Sequence, residues 1–204
     1  MTTLYYFFLK GYFNTTNFIP IYLADNEPWM PRLIKEILDL LTGTESHIIT
    51  TRIDNDDSLH INMVDLIQQQ LNGQEDLYVN YNNGLQYDMD NQVLCRYEFR
   101  DNPFLSRIEK INENTYKTVW ERKHNAYHAP GTIKYIKSQP IWLQIIHSGN
   151  LLNNLRMDKL ILSDAITNDF NMKYPLKISK RMSLILLIKY FVSKILKKAR
   201  KIFN

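Results

Sequence analysis

The spacing of apolar residues changes from strand to helix twice between residues 18 and 71. Residues 18–23 are β-prone and residues 28–41 place apolar side chains at helical spacing, which predicts a strand followed by an amphipathic helix. Residues 47–53 form a second β-rich run, and residues 60–71 form a second helical segment that ends at an Asn-Gly pair. This order predicts an α/β domain with a partly parallel sheet.

The middle of the chain predicts shorter elements. Three strands are expected there, separated by turns rich in Asn, Asp and Gly: strands at 77–81, 85–87 and 92–97, with turns at 82–84 and 88–91. Residues 101–150 mix polar, aromatic and His residues, which is typical of loops that carry a site. An apolar strand just before His147 interrupts that region.

The positive charge of the chain is concentrated near its end. Ten of the 25 Lys and Arg residues lie between residues 173 and 204, where there is no Asp or Glu. Residues 1–172 keep 15 basic and 21 acidic residues, a net charge of about −6. We therefore divide the chain into a domain of residues 1–172 and a basic tail of residues 173–204. The acidic domain argues against a nucleic-acid partner, because phosphate binding requires positive charge on the working surface.

The tail combines positive charge with an apolar stripe. On a helix, one face would carry Leu184, Ile188, Phe191, Ile195 and Ile202. Its longest uncharged run, residues 182–188, is too short to span a bilayer. The pattern favours an interfacial helix on an anionic membrane surface, and the alternative is a helix packed on the domain.

Cysteine usage and the N-terminus bear on the compartment. Cys95 is the only cysteine, which excludes an internal disulfide and a zinc–cysteine site and favours a reducing compartment. The apolar run 4–9 is too short for a signal-peptide core or a transmembrane helix. We therefore expect a cytoplasmic protein, held peripherally at the inner face of the membrane by its tail.

Four consecutive polar residues, Asp54-Asn55-Asp56-Asp57, follow the second predicted strand. Ligands of α/β proteins bind beyond the carboxyl ends of strands. Neighbouring ionised carboxylates repel one another unless a cation or strong donors offset the charge, and Mg²⁺ or Mn²⁺ prefers such oxygen ligands. The alternative is a solvated turn in which Asp57 or Ser58 caps the next helix. Composition and spacing leave these two interpretations equal.

Three stretches of the chain carry a family resemblance. They are residues 49–60, which contain the acidic cluster; residues 102–109, with Asn-Pro-Phe-Leu-Ser and Glu109; and residues 142–153, which include Ile-His-Ser-Gly-Asn. Together they resemble the motifs of a rhamnosyltransferase family with a GT-A-type glycosyltransferase fold. The resemblance covers about residues 18–157. It implies a GT-A-like, Rossmann-like mixed sheet flanked by helices, here followed by the amphipathic C-terminal helix.

The resemblance also implies an activity. A family member would move a sugar from a nucleotide-sugar donor to a surface polysaccharide or a lipid-linked acceptor. Its Asp-x-Asp motif implies an Mn²⁺ or Mg²⁺ site at Asp54 and Asp56, with His147 as the best-placed further ligand. An inverting enzyme also needs a carboxylate base, for which we expect Glu109, with Asp101 as the second choice.

Further residues are candidates for substrate contacts. Arg52 has the guanidinium fork that pairs with a donor phosphate, or else it forms an ion pair with the nearby aspartates. Trp142 has a ring suited to stacking on an acceptor sugar, and its apolar neighbours make core packing an equal alternative. Asp54, Asp57 and Asn150 complete the expected substrate contacts.

One departure from the family supports a second hypothesis. Related enzymes carry additional N-terminal strands that hold the base and ribose of the donor, whereas about 17 residues precede the first predicted strand here. The sequence therefore also permits a shortened, non-catalytic chain that acts as a binding or assembly protein.

Overall fold

The fold is mixed α/β, with two mixed sheets, a separate two-stranded ribbon and a long C-terminal helix. The computed structural model describes residues 2–8, 17–23, 27–111, 117–121, 133–148, 155–156, 159–163, 165–170, 172 and 175–203. The strands and α-helices of these residues are, in chain order, β1 (Thr2–Phe8), β2 (Asn17–Leu23), α1 (Trp29–Asp39), β3 (His47–Thr51), β4 (Ser58–Leu59), α2 (Met63–Gln68), β5 (Asp76–Tyr81), β6 (Asn83–Asp88), β7 (Val93–Glu98), β8 (Leu105–Lys110), β9 (Ile133–Ile136), β10 (Trp142–Ile146), β11 (Leu160–Ile161) and α3 (Lys180–Phe203). The ribbon is an antiparallel pair of β1 and β2.

A four-stranded sheet in the order β3-β8-β5-β9 lies between the first two helices. Strands β3, β5 and β9 run in one direction and β8 runs against them. Ile48 packs against the cluster that contains Leu33 and Ile37 of α1, and its neighbour Ile49 packs against the cluster that contains Met63 and Ile67 of α2. Because successive side chains of a strand point to opposite faces, these two contacts place a helix on each face of the sheet.

A five-stranded sheet has the order β11-β7-β6-β10-β4, in which only β6 and β10 pair in parallel. One face carries Leu85, Leu143 and Ile145, and it is covered by the segment around the buried Phe170. The opposite face carries the buried Gln86, whose amide donates to Gln144 Oε1 at 2.9 Å. The alternation of apolar and polar residues therefore assigns the two faces.

The chain passes from one sheet to the other at Asn82, and the turn expected at residues 82–84 is wrong. Asn83 and Gly84 already belong to β6, so β5 and β6 are not a hairpin. Gly84 lies directly against the Trp142 ring, and a Cβ atom at this position would overlap the indole. The glycine is required for this close approach rather than for a turn.

Several predicted elements are confirmed with adjusted ends: the strands at 18–23 and 47–53, the helix at 28–41, and the turn at 88–91 between β6 and β7. The helix expected at 60–71 is shorter, because β4 forms before it and pairs with β10. The loop-like interpretation of residues 101–150 is wrong where β8 and β9 form, whereas β10 confirms the apolar strand expected just before His147. Strand β8 was not predicted because three of its residues are polar although they are buried: Ser106, Arg107 and Glu109.

The tail forms α3, as its apolar stripe predicts. Its entry is fixed by a hydrogen bond from Ser179 N to Gln92 O at 2.8 Å, and Ser183 in its first turn is fully buried. None of the helices in the described residues combines the length and the apolar character needed to cross a bilayer.

Candidate metal and substrate site

The three stretches that carry the family resemblance are adjacent in space. The backbone N–H of Arg52 donates to Leu105 O at 2.9 Å, which joins the first stretch to the second. The first and third stretches are joined by the backbone N–H of Ile145, which donates to Asp57 Oδ1 at 2.8 Å. Segments far apart in the sequence therefore meet at the acidic cluster.

Strand topology explains why the cluster lies at a sheet edge. The parallel strands β3, β5 and β9 end at the same edge, and the chain leaves β3 there through residues 52–57. Strand β4 then pairs antiparallel with β10, with Ser58 opposite Leu143. The acidic turn is consequently held beside the carboxyl end of β10, where His147 follows.

Asp57 does not cap the second helix, contrary to one of the two interpretations. Residue Asn62 precedes α2 and no side chain caps that helix, whereas Asp57 accepts the Ile145 amide. Burial raises the pKa of Asp57 to about 7; the Ile145 hydrogen bond lowers the pKa in part, and the charges of Asp56 and Asp54 raise it further. The chain therefore holds a partly buried carboxyl group among carboxylates that oppose its ionisation.

Asp56 and His147 form the closest pair of expected metal ligands. Asp56 Oδ2 lies 3.2 Å from His147 Nε2, and the two side chains are 31% and 38% exposed. Carboxylate oxygen and imidazole nitrogen are suitable donors for Mn²⁺, and ions of this class often take one or two protein carboxylates and complete their sphere with substrate phosphates. The donor set therefore fits the ion. Within the described ranges, no three His, Cys, Asp or Glu side chains converge as a metal-binding group.

Arg52 lies between an aromatic ring and the cluster. Its guanidinium carbon stands 4.5 Å from the centre of the Trp120 ring, and its Nη2 is 3.9 Å from Asp54 Oδ1. Trp120 in turn meets Trp29 edge to face, with the ring centres 5.7 Å apart. The structure thus shows the ion pair proposed for Arg52 and adds a cation–π contact. Both interactions hold the guanidinium beside the cluster.

Trp142 is part of the core, which was the packing alternative. Its ring stacks on Phe104 with centres 4.8 Å apart, and its indole N–H donates to Tyr81 O at 2.8 Å. The side chain is 1% exposed, so the ring offers no face to a sugar. Its role in this structure is to join the end of β5 to the second sheet.

The two expected bases are not beside the acidic cluster. Glu109 is buried on β8 opposite Ile48, about 10 Å along the strand from the end of β3. Its oxygens accept the backbone N–H groups of Lys117 and Thr118 at 3.0 and 2.8 Å. Burial raises the pKa of Glu109, against the opposing effects of nearby Arg107 and of these two amides.

Asp101 lies at the carboxyl edge but on its far side. Its Oδ1 accepts a 2.8 Å hydrogen bond from the Tyr135 hydroxyl of β9, three strands away from β3. Asp101 is half-buried, so unlike Glu109 it keeps contact with solvent. Asn150, expected among the substrate contacts, lies outside the described residues, as does Asn153.

Two residues with structural roles, Asn102 and Arg107, were missed in the sequence. Asn102, the first residue of the second stretch, is buried. Its side-chain amide N–H group donates to three acceptors at 2.6–2.9 Å: Asn80 Oδ1, Tyr81 O and Phe99 O. Arg107 was also missed, although it ties together three carboxylates. The β8 sequence, Leu-Ser-Arg-Ile-Glu-Lys, does not alternate polar and apolar residues, so no local pattern signalled this burial.

Comparison with known proteins identifies no relative: no family model, no curated protein and no solved structure matches this chain. Any functional assignment therefore depends on the geometry of the three stretches and on the resemblance of their sequences.

Proposed function

We propose that the chain is a metal-dependent glycosyltransferase with a GT-A-like fold. The observation that carries the proposal is the meeting of the three resembling stretches, joined by the Arg52–Leu105 and Asp57–Ile145 hydrogen bonds. Their contact surrounds an acidic turn at the carboxyl edge of a sheet, the usual position of a ligand site in α/β proteins. A structural cap would not require the later stretches to lie beside the turn.

In this proposal Asp56 and His147 would hold Mn²⁺ or Mg²⁺, and Asp54, which does not converge with them in this structure, would be the third ligand. The bound ion would offset the negative charge of the donor diphosphate. Arg52 would pair with a donor phosphate, since its guanidinium is already held beside Asp54 by the Trp120 ring. Asp57 would contact the substrate from the inner side of the turn, where the Ile145 amide fixes it.

For the acceptor base we propose Asp101 ahead of Glu109. Asp101 is at the carboxyl edge and half-buried, whereas Glu109 is enclosed and both of its oxygens accept backbone amides. A base must reach the acceptor hydroxyl to remove its proton. An Asp101→Asn variant should then retain donor binding and lose transfer.

The proposed partners follow from the same assignment. The donor is a nucleotide sugar and the acceptor a surface polysaccharide or a lipid-linked sugar. We place the enzyme in the cytoplasm, peripherally at the inner face of the membrane, and the acidic domain argues against nucleic acid as its main partner.

Isothermal titration of the intact protein with nucleoside diphosphates, with and without Mn²⁺, tests the proposal. We expect Mn²⁺-dependent binding that Asp56→Ala and His147→Ala weaken at least about tenfold, because each removes a ligand. Asp65→Ala is the matched control, since Asp65 is an exposed carboxylate on α2. Binding that needs no metal, or equal binding by Asp56→Ala, would refute the metal site.

The same preparation separates enzyme from binding protein. Transfer from any nucleotide sugar in a panel of donors supports the enzyme. Metal-dependent nucleotide binding without transfer from any donor would instead support a non-catalytic binding or assembly protein.

A further inference from the structure

We infer that α3 is a docking surface for an anionic lipid bilayer, with a defined face toward the lipid. Six large apolar side chains of the helix are at least half exposed: Leu184, Ile188, Phe191, Val192, Ile195 and Leu196. Exposed apolar residues are ordinary when scattered singly, but six on one helix form a patch that requires a partner.

The exposed apolar residues share one side of the helix. At about 100° per residue, the six side chains fall within an arc of about 140°, from Phe191 to Leu196. Lys189 lies just beyond one border of this arc, and Lys198 and Lys194 lie beyond the other. All three lysines are exposed. An apolar face bordered by cations on both sides is the pattern of a helix lying in a membrane interface.

The body of the protein is attached on the opposite side. Ser183 is fully buried and lies about 150° around the helix from the centre of the arc. Just before the helix begins, the backbone N–H of Ser179 donates to Gln92 O, which attaches the start of α3 to the β6–β7 turn. From residue 191 to 198 every side chain is exposed, so the second half of α3 projects from the body. The arc therefore faces away from the domain.

The positive charge of the tail, together with its apolar arc, favours an anionic bilayer as the partner of α3. Residues 173–204 contain ten Lys and Arg and no acidic residue, so two copies packed through this face would bring like charges together. Nucleic acid would use the lysines but leave the apolar arc in water. An anionic bilayer accepts both, because phosphate groups meet the lysines while the arc enters the acyl boundary.

The helix starts at the edge that carries the candidate site. Ser179 contacts Gln92, and Met89 of the same turn donates its amide to Ile146 O at 2.9 Å, one residue before His147. Docking of α3 would thus hold this edge near the lipid surface. This last step rests on the proposed function: it favours a lipid-linked acceptor over a soluble polysaccharide.

Co-sedimentation of the full chain with vesicles tests the docking surface. We expect binding to vesicles of phosphatidylglycerol and phosphatidylcholine, and little binding to phosphatidylcholine alone. Ile195→Glu, inside the arc, should weaken binding at least about tenfold, since it removes apolar burial and adds repulsion. Ser193→Glu makes the same change of charge on the opposite side of the helix and should weaken binding less than about threefold.

Three results would overturn the inference. They are equal binding to neutral and anionic vesicles, an equal loss in the Ile195→Glu and Ser193→Glu variants, and sedimentation velocity showing a dimer that Ile195→Glu dissociates. Circular dichroism of both variants verifies that the helix is retained.

Failure here is distinguishable from failure of the proposed function. Asp56→Ala should keep full vesicle binding, and Ile195→Glu should keep Mn²⁺-dependent nucleotide binding. Transfer to a lipid-linked acceptor in anionic vesicles should drop in Ile195→Glu, whereas transfer to a soluble glycan, if it occurs, should not. An equal drop for both acceptors would exclude the preference for a lipid-linked acceptor.

Discussion

Two groups of carboxylates lie toward opposite ends of the β3–β8 pair, and they differ in their hydrogen-bond and ion-pair partners. On β8, Arg107 binds Asp76 at 2.8–2.9 Å and Glu121 at 2.9 Å, while Glu109 receives two backbone amides. At the carboxyl edge, the acidic turn has one amide, one histidine and an arginine 3.9 Å away. The first group is bound by a buried arginine and by two backbone amides, whereas the three aspartates of the turn have fewer such donors among the described contacts. This contrast is one reason why we propose a cation at the second group.

Removing Arg107 should have the largest effect on stability. Arg107→Met leaves Glu109 buried without its cation and breaks the bonds to Asp76 and Glu121. We expect a loss of about 3–5 kcal/mol in the free energy of unfolding, because a buried charge is left uncompensated. Urea denaturation measures it. Arg32→Met, which breaks an exposed helical ion pair with Glu36, should cost less than about 1 kcal/mol. Equal losses would show that the β8 network is not structural.

Asp57 should produce the next largest effect, and it depends on pH. Its folded pKa of about 7 lies above the ordinary value of 3.8, so the folded state binds more protons than the unfolded state between these values. Stability should therefore fall as pH rises from about 4 to 7, by about 2 kcal/mol after allowance for partial exposure. Asp57→Asn should remove this part of the slope. Urea midpoints at several pH values measure it.

The control for Asp57 is Asp65→Asn on α2, which should retain the wild-type pH profile. A wild-type profile that is flat between pH 4 and 7 would mean that the turn already offsets the charge of Asp57. It would then resemble the β8 network, and the contrast between the two groups would disappear.

The parts of the fold that can be predicted from the sequence are those fixed by the spacing of apolar residues within one element. The helical spacing of Leu33 and Ile37 predicts α1, and the apolar stripe of the tail predicts α3. The sheet change at Asn82 is not predictable locally, because Gly84 is set by a Trp142 ring that arrives from a distant strand. Strand β4 likewise has only two residues and exists because β10 pairs with it.

The same distinction applies to the site. Asp56 and His147 were paired by family resemblance, and the structure brings them to 3.2 Å across 91 residues. For Trp142 and Glu109, residue type alone did not reveal that tertiary packing buries them. Burial and the occupation of lone pairs by backbone amides are properties of the assembled sheets, so no local pattern reports them.

The smallest effect on stability is expected at Asp56, where the proposed function predicts the largest effect on binding. Asp56→Ala removes a partly exposed carboxylate whose described partner is His147, and it relieves repulsion on Asp57. The two changes should leave the free energy of unfolding within about 0.5 kcal/mol of wild type without metal. With Mn²⁺ present, the wild type should gain stability with rising metal concentration and Asp56→Ala should not, because only a ligand of the folded state shifts the equilibrium. Equal gains in both proteins would place the metal elsewhere, and the three aspartates of the turn would then need another explanation.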